Sequence, residues 1–271
     1  MEKYTIADFV RKSPGHKELV RKELESHRNK TELDKLKSDE HYYGKVGQQY
    51  LSNSNIGDLL KNPKNFNKKQ EDNKNFLVGR YFHQLILEPE KAQAVPHIDL
   101  ATRRGKAYDS FLEEHGLKIG LLTKEKLMME SLVDEILNVA DFRDLIREEG
   151  VQYEVPMIKE IHGEMWKGKA DIVGSEHLLD LKTSSSIEKF RWSVRDYNYD
   201  SQAYIYQELF GKPLVFLVID KTTRMMGMYP VSEESLERGE QKVIKAVEQY
   251  RKFYGDNPSE DINQFYFYEE V

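Results

Sequence analysis

Cysteine is absent from all 271 residues. No disulfide, thiolate zinc site, iron–sulfur cluster or cysteine nucleophile can therefore be built. Long apolar runs are missing as well. The longest, Leu214 to Ile219, has six residues, where a membrane-spanning helix needs about 20. The first residues, Met1-Glu2-Lys3-Tyr4, carry no apolar export signal. These absences predict a soluble, cytoplasmic protein with no membrane partner. Fixed-period repeats and low-complexity tracts are also lacking. What is present is 39% hydrophobic and 32% charged residues, enough for a sizeable core under a heavily charged surface and too apolar for wholesale disorder.

An excess of positive charge is lacking too. The net charge is −6, which taken as an average argues against a nucleic-acid partner. The distribution is uneven. Residues 1–75 hold 16 Lys and Arg against 12 Asp and Glu, so the acidic excess lies in residues 76–271. Acid of this kind is either solvated surface or is partly gathered to hold cations.

Residues 1–40 are polar, rich in Lys and Glu, broken at Ser13-Pro14-Gly15, and read as a helical, partly flexible arm ahead of a single domain over 41–271. Ser52 or Ser54 caps a short helix carrying Ile56, Leu59 and Leu60. A polar, basic stretch from Lys61 to Lys74 follows. Phe76 to Leu87 has helical spacing and stops at Glu88-Pro89. Residues 123–149 form a second amphipathic helical region. After Gly150 the period changes to two: Val151, Tyr153, Val155 and Met157 alternate as in a half-buried strand. Met165 to Val173 and Leu178 to Lys182 read as the next strands, and 186–210 as helical, closed by Gly211. Leu214 to Asp220 reads as a buried strand, Met225 to Val231 as its hairpin mate, and roughly 232–254 as a final helix. The expected fold is α/β, a small mixed sheet between helices.

The chemistry concentrates in Gly168-Lys169-Ala170-Asp171-Ile172-Val173 and Leu179-Asp180-Leu181-Lys182-Thr183. Aspartate is depleted in strands, so two of them among Val, Ile and Leu need a reason. On a hairpin of this length Asp171 and Asp180 can lie side by side at the sheet edge, and Lys182 shares the face of Asp180. With the Leu181 carbonyl they make a hard-oxygen set suited to Mg²⁺ or Mn²⁺. The plainer alternative is a surface ion pair with a turn aspartate. Glu154 stands mid-strand, either as a further carboxylate or facing outward. Gln202 and Tyr206 share a helix face at i and i+4. His83 lies on the apolar Phe76–Leu87 helix, where a hydrogen-bonded core role is the usual one.

Taken in order, His83, Glu154, Asp171, Asp180-x-Lys182 and Gln202-x-x-x-Tyr206 resemble the RecB-type branch of the PD-(D/E)XK nuclease superfamily. Tyr50-Leu51-Ser52-Asn53-Ser54, Gly79-Arg80 and Leu87-Glu88-Pro89-Glu90 are most similar to phage and prophage RecE-like exonucleases. The similarity covers roughly residues 40–255, and Ala170 stands where the family has proline before the first aspartate. The resemblance implies a PD-(D/E)XK, restriction-endonuclease-like core with a helical N-terminal extension. It also implies Mg²⁺-dependent exonuclease action, Mn²⁺ substituting, that resects linear duplex DNA 5′ to 3′ for phage-type recombination or DNA degradation. A homo-oligomeric ring and a recombinase or single-strand-annealing partner would go with it. Single-strand-specific exonucleases, structure-specific endonucleases and catalytically silent DNA-binding mediators share the scaffold.

On this resemblance Asp171, Asp180 and the Leu181 carbonyl hold the principal metal, and Glu154 and His83 complete a second site. Lys182 orients or deprotonates the attacking water. Gln202 and Tyr206 brace Lys182 or touch DNA. DNA phosphates are expected on Arg103, Arg104 and Lys106, and on Lys61, Lys64, Lys68, Lys69 and Lys74, each equally open to a solvated-surface reading.

Overall fold

A computed structural model of the chain describes residues 30–68 and 72–266. Lys69 and residues 1–29 of the expected arm lie outside the described residues; 30–36 are helical. Two short parallel strands, β1 (His97–Ile98) and β2 (Leu121–Leu122), pair with each other. The main sheet holds β3 (Gln152–Ile161), β4 (Glu164–Val173), β5 (Leu178–Ser184), β6 (Leu214–Asp220) and β7 (Met226–Pro230), in spatial order β3-β4-β5-β6-β7. All neighbours are antiparallel except β5 and β6. That parallel pair needs a crossover, and the helical region 186–210 supplies it.

Past residue 36 the described α-helices are α1 (Asp39–Tyr43), α2 (Asn53–Lys61), α3 (Lys74–Leu87), α4 (Pro89–Gln93), α5 (Lys106–His115), α6 (Thr123–Asn138), α7 (Ala140–Ile146), α8 (Phe190–Asp196), α9 (Tyr199–Phe210) and α10 (Glu233–Phe253). Strand alternation divides the core between the two sheet faces. Ile172, Leu179, Leu181, Leu217 and Ile219 pack with Phe82 and Ile86 of α3 and with Met129, Leu132 and Ile136 of α6. Trp166, on the other side, packs with Ile56 and Leu59 of α2, Ile205 and Leu209 of α9, and Val243 and Ala246 of α10. The expected α/β layering is observed.

Local chemistry sets the helix limits. The Asn73 side chain accepts from the N–H groups of Asn75 and Phe76 and so starts α3 ahead of the apolar run. Asn55 reaches back to the N–H of Ser52, which caps α2. The 186–210 region is two helices rather than one: Asn198 sits at φ +58° between them, a conformation that asparagine tolerates better than most. Its periodicity is continuous on both sides, so the break is not visible in the apolar pattern. The 95–122 segment, with β1, α5 and β2, has too short a run of any period to be read as elements.

Helices α9 and α10 are locked by a buried charge. Asp200, with no exposed surface, accepts from Arg238 Nε and Lys242 Nζ, both at 2.8 Å. Gly239 allows this approach: a Cβ there would lie 2.3 Å from the Asp200 carbonyl oxygen. Backbone cannot step aside as a side chain can. Gly239→Ala should therefore destabilise the protein by about 1–3 kcal/mol, as overpacking does, measured by urea unfolding; an unchanged midpoint would contradict the close contact.

Candidate active site

Strands β4 and β5 share only two rungs, Ile172–Leu179 and Val173–Leu178. Beyond them the strands part, and Asp171 and Asp180 are the next residue on each. The fork lies inside the sheet, between its second and third strands, and not at the edge as the sequence suggested. Asp171 fills the missing ladder position with its side chain: Oδ2 accepts the Leu181 N–H at 2.8 Å. The free side of β4 beyond the fork is completed elsewhere. The Lys169 carbonyl accepts from the Tyr206 hydroxyl at 2.9 Å, and Leu51 bonds the backbone of Met165 and Lys167 at 2.9 and 2.8 Å. Backbone groups that leave a ladder must find partners, and these do.

Glu154 comes from β3. Its neighbours Tyr153 and Val155 pair with Ile172 and Ala170, which leaves Glu154 across from Asp171. Its backbone is left-handed, at φ +52°, a strained state for glutamate inside a strand. His83, on α3, places Nδ1 3.3 Å from Asp171 Oδ2. Ligand atoms of His83, Glu154 and Asp171 lie within 4.8 Å of one another, the one such grouping among the described residues. An imidazole and two carboxylates at this spacing suit a divalent cation with oxygen and nitrogen preference.

Asp180 faces differently. Its Oδ1 accepts from Gln202 Nε2 at 2.6 Å, and its buried Oδ2 meets the Lys182 ammonium as an ion pair without hydrogen-bond alignment. The Lys182 ammonium also lies 4.8 Å from the Tyr199 ring centre and 5.8 Å from that of Phe216. Environment pushes the two aspartates apart. Burial works against ionising Asp171, but His83, Lys182 and the Leu181 N–H hold it below the ordinary carboxylate value. Burial lifts Asp180 above it, against the pull of Lys182 and with the help of Asp171. Burial also lowers His83, yet Asp171 outweighs it and leaves the imidazole above its usual value. Lys182 behaves likewise: burial is outweighed by Asp180 and Asp171, so the ammonium is held charged.

Several expected roles shift. Gln202 braces Asp180, not Lys182. Tyr206 holds the β4 backbone; burial, then the charges of Asp180 and Asp171, raise its hydroxyl, which stays protonated and donates. Gly168 lets this helix approach, since a Cβ there would stand 2.6 Å from Leu209 and 2.8 Å from the Tyr206 ring. For Leu181 the bond at the site is made by the N–H. Arg103 differs most from the DNA-contact expectation. Its guanidinium is taken by buried Glu125, with bonds of 2.8 and 2.5 Å, and by the Gly120 carbonyl at 3.1 Å. It ties the 99–122 segment to α6. Arg104 and Lys106 are exposed, as are Lys61, Lys64 and Lys68, while Lys74 lies 3.6 Å from Glu125.

Sequence reading missed Lys169 and Lys167. Lys169 Nζ pairs with Glu154 at 3.2 Å and with Asp39 of α1 at 2.6 Å. Lys167 buries its ammonium against the Tyr42 carbonyl and 4.2 Å from the Tyr42 ring centre. The signal was the period-two series Lys167-x-Lys169-x-Asp171, which puts three ionisable groups along one side of a strand.

A family model for a PDDEXK-like domain of unknown function (DUF3799) matches residues 58–257. The chain belongs to this PDDEXK-like family. No curated protein matches the sequence. Among solved structures, a candidate exonuclease from Eubacterium rectale is similar at 21% identity, with a TM-score of 0.59, over 79% of this chain and 85% of that one. An alkaline exonuclease from Laribacter hongkongensis is 14% identical over 74% of this chain and 88% of that one, at a TM-score of 0.32. A phage-related exonuclease from Haemophilus somnus is 14% identical over 75% and 94%, at 0.33. The Eubacterium rectale likeness is one of fold, and with the family match it bears out the PD-(D/E)XK architecture. Among the described residues no helix is long and apolar enough to cross a membrane.

Glu154 combines a strained backbone with a carboxyl raised by burial and by Asp171. Glu154→Gly should therefore leave thermal stability equal or raise it by up to ~1 kcal/mol while weakening Mn²⁺ binding measured by calorimetry; loss of stability with intact binding would contradict this reading. Lys167 gives a pH signature. Burial, then Lys169, pull it down to about 8, so between pH 8 and its unfolded value the unfolded chain binds more protons and stability rises with pH. Wild type should gain on Lys167→Met by more than ~1 kcal/mol from pH 7 to 10, measured by urea unfolding at each pH. A parallel pair of curves would contradict it.

Proposed function

We infer that the chain is a divalent-metal-dependent nuclease hydrolysing DNA phosphodiester bonds, and that it acts as an exonuclease on linear duplex DNA. The observation that carries this is the convergence of His83, Glu154, Asp171, Asp180 and Lys182 at the β4–β5 fork. Action from the 5′ end, a role in phage-type recombination, a ring-shaped homo-oligomer and a recombinase or annealing partner rest on the RecE-like resemblance.

His83, Glu154 and Asp171 would hold a cation, with Asp180 beside them. Mg²⁺ fits the carboxylate content, and Mn²⁺ tolerates the imidazole equally well. When bound, such an ion supplies positive charge against the phosphate charge that builds in the transition state and eases attack by water. Lys182, kept charged by Asp180 and Asp171, orients water or neutralises phosphate oxygen, which suits it better than proton abstraction. Gln202 keeps Asp180 turned toward Lys182, and Tyr206 keeps β4 in place under Asp171. Exposed Arg104 and Lys106 meet the DNA backbone, with Arg103 supporting their loop from behind.

The test is incubation with end-labelled linear duplex, single-stranded and closed circular DNA, with Mg²⁺ and with EDTA. Linear duplex should be degraded from the 5′ end, circles should survive, and EDTA should stop the reaction. Asp180→Ala should abolish turnover, and Lys182→Ala should lower it about 10²- to 10⁴-fold, with far-ultraviolet circular dichroism unchanged. Wild-type turnover in either folded variant would overturn the assignment. Arg104→Ala with Lys106→Ala should weaken DNA binding and flatten its salt dependence; an unchanged slope would remove this segment from the interface.

A further inference from the structure

Helix α8 and the residue after it present Trp192 and Tyr197 to solvent, on the segment that leads into Tyr199, whose ring centre lies 4.8 Å from the Lys182 ammonium. Phe190 anchors the helix: it is buried, with ring centres of Phe216, Tyr229 and Tyr199 at 5.8, 4.7 and 5.9 Å. Trp192, two residues on, is 52% exposed, and Tyr197, just past the helix, is 66% exposed. Neither fills a core position. The Arg191 guanidinium lies 4.0 Å from the Trp192 ring centre. Tyr197 packs on Tyr199 with ring centres 5.9 Å apart, and Tyr199 lies against the Lys182 ammonium. From Lys182 through Tyr199 to Tyr197 the rings thus run outward to solvent, and Trp192 stands exposed on the helix that precedes them.

Exposed aromatics beside cations suit one ligand chemistry well. Nucleobases offer flat π faces, and stacking on Trp or Tyr is insensitive to sequence. Lys189, Arg191 and Arg195 are exposed along the segment and outnumber its exposed acids, Glu188 and Asp196, which complements a phosphate chain. A blunt duplex hides its base faces within the stack. A frayed or single-stranded end does not.

We propose that Trp192 and Tyr197 form a stacking platform for unpaired bases next to the phosphate being cut, so that the enzyme engages a frayed or single-stranded end better than a blunt one. This rests on the nuclease reading for its purpose, though not for its measurement. The protein has two tryptophans, and Trp166 has no exposed surface, so a ligand that stacks on Trp192 is seen directly in tryptophan emission.

The experiment titrates the full chain with oligothymidylate in EDTA, following tryptophan emission and, in parallel, the anisotropy of a labelled oligonucleotide. Emission should be quenched along the same binding curve as anisotropy, and a blunt duplex of equal length should quench less. Tyr197→Ala should weaken binding about ten-fold and Tyr197→Phe should restore it, a rescue that loss of folding would not show. Trp192→Phe should remove the quenching while keeping binding near wild type. Absence of binding, binding without quenching, or unchanged affinity in Tyr197→Ala would each overturn the platform. A separate cleavage assay keeps the readings apart: normal degradation without quenching overturns the platform alone, whereas quenching without any degradation overturns the nuclease reading and leaves the platform as a single-strand-binding surface.

Discussion

One hydrogen bond organises the centre of this molecule: the Asp171 carboxylate accepts the Leu181 N–H where a backbone carbonyl would otherwise stand. It ends the β4–β5 ladder after two rungs without leaving the Leu181 donor unpaired. A side chain in the place of a peptide group opens space between two interior strands. Into that space come Glu154 from β3, His83 from α3, and Asp180 with Lys182 from β5. A regular ladder would have closed it.

The rest of the fold holds the fork open. Tyr206 and Leu51 complete the β4 backbone on its free side, and Gly168 allows α9 close enough for Gln202 to reach Asp180. The Asp200 ion pairs fix α9 against α10. Breaking a buried pair of this kind by removing one partner costs about 3–5 kcal/mol, so the helix that carries Gln202 and Tyr206 has little freedom to drift. Glu154 shows the opposite economy: a strained backbone kept at the site where its carboxylate is useful.

Much of this was legible in the residues. Period-two alternation after Gly150 gave the strands, and the aspartates stood out because strands avoid them. Leu214–Asp220 matches β6 residue for residue. The capping serine of α2 and the glycine after α9 were also legible, since each reflects a local backbone requirement. What sequence concealed was long-range. Nothing local says that β4 and β5 part after two rungs, or that Glu125 claims Arg103 across 22 residues. The Arg-Arg-Gly-Lys stretch looks the same whether its first arginine faces DNA or a buried glutamate. The break at Asn198 was hidden because apolar spacing continues on both sides of it.

The proposed function reconciles the acidic net charge with a phosphate substrate at the fork, where carboxylates would serve cation binding instead of repelling DNA. That claim is tested most directly by anomalous diffraction from a crystal soaked in manganese. The account predicts a peak bounded by His83, Glu154 and Asp171. A map with no peak there, at a concentration where calorimetry shows the protein binding manganese, would contradict it.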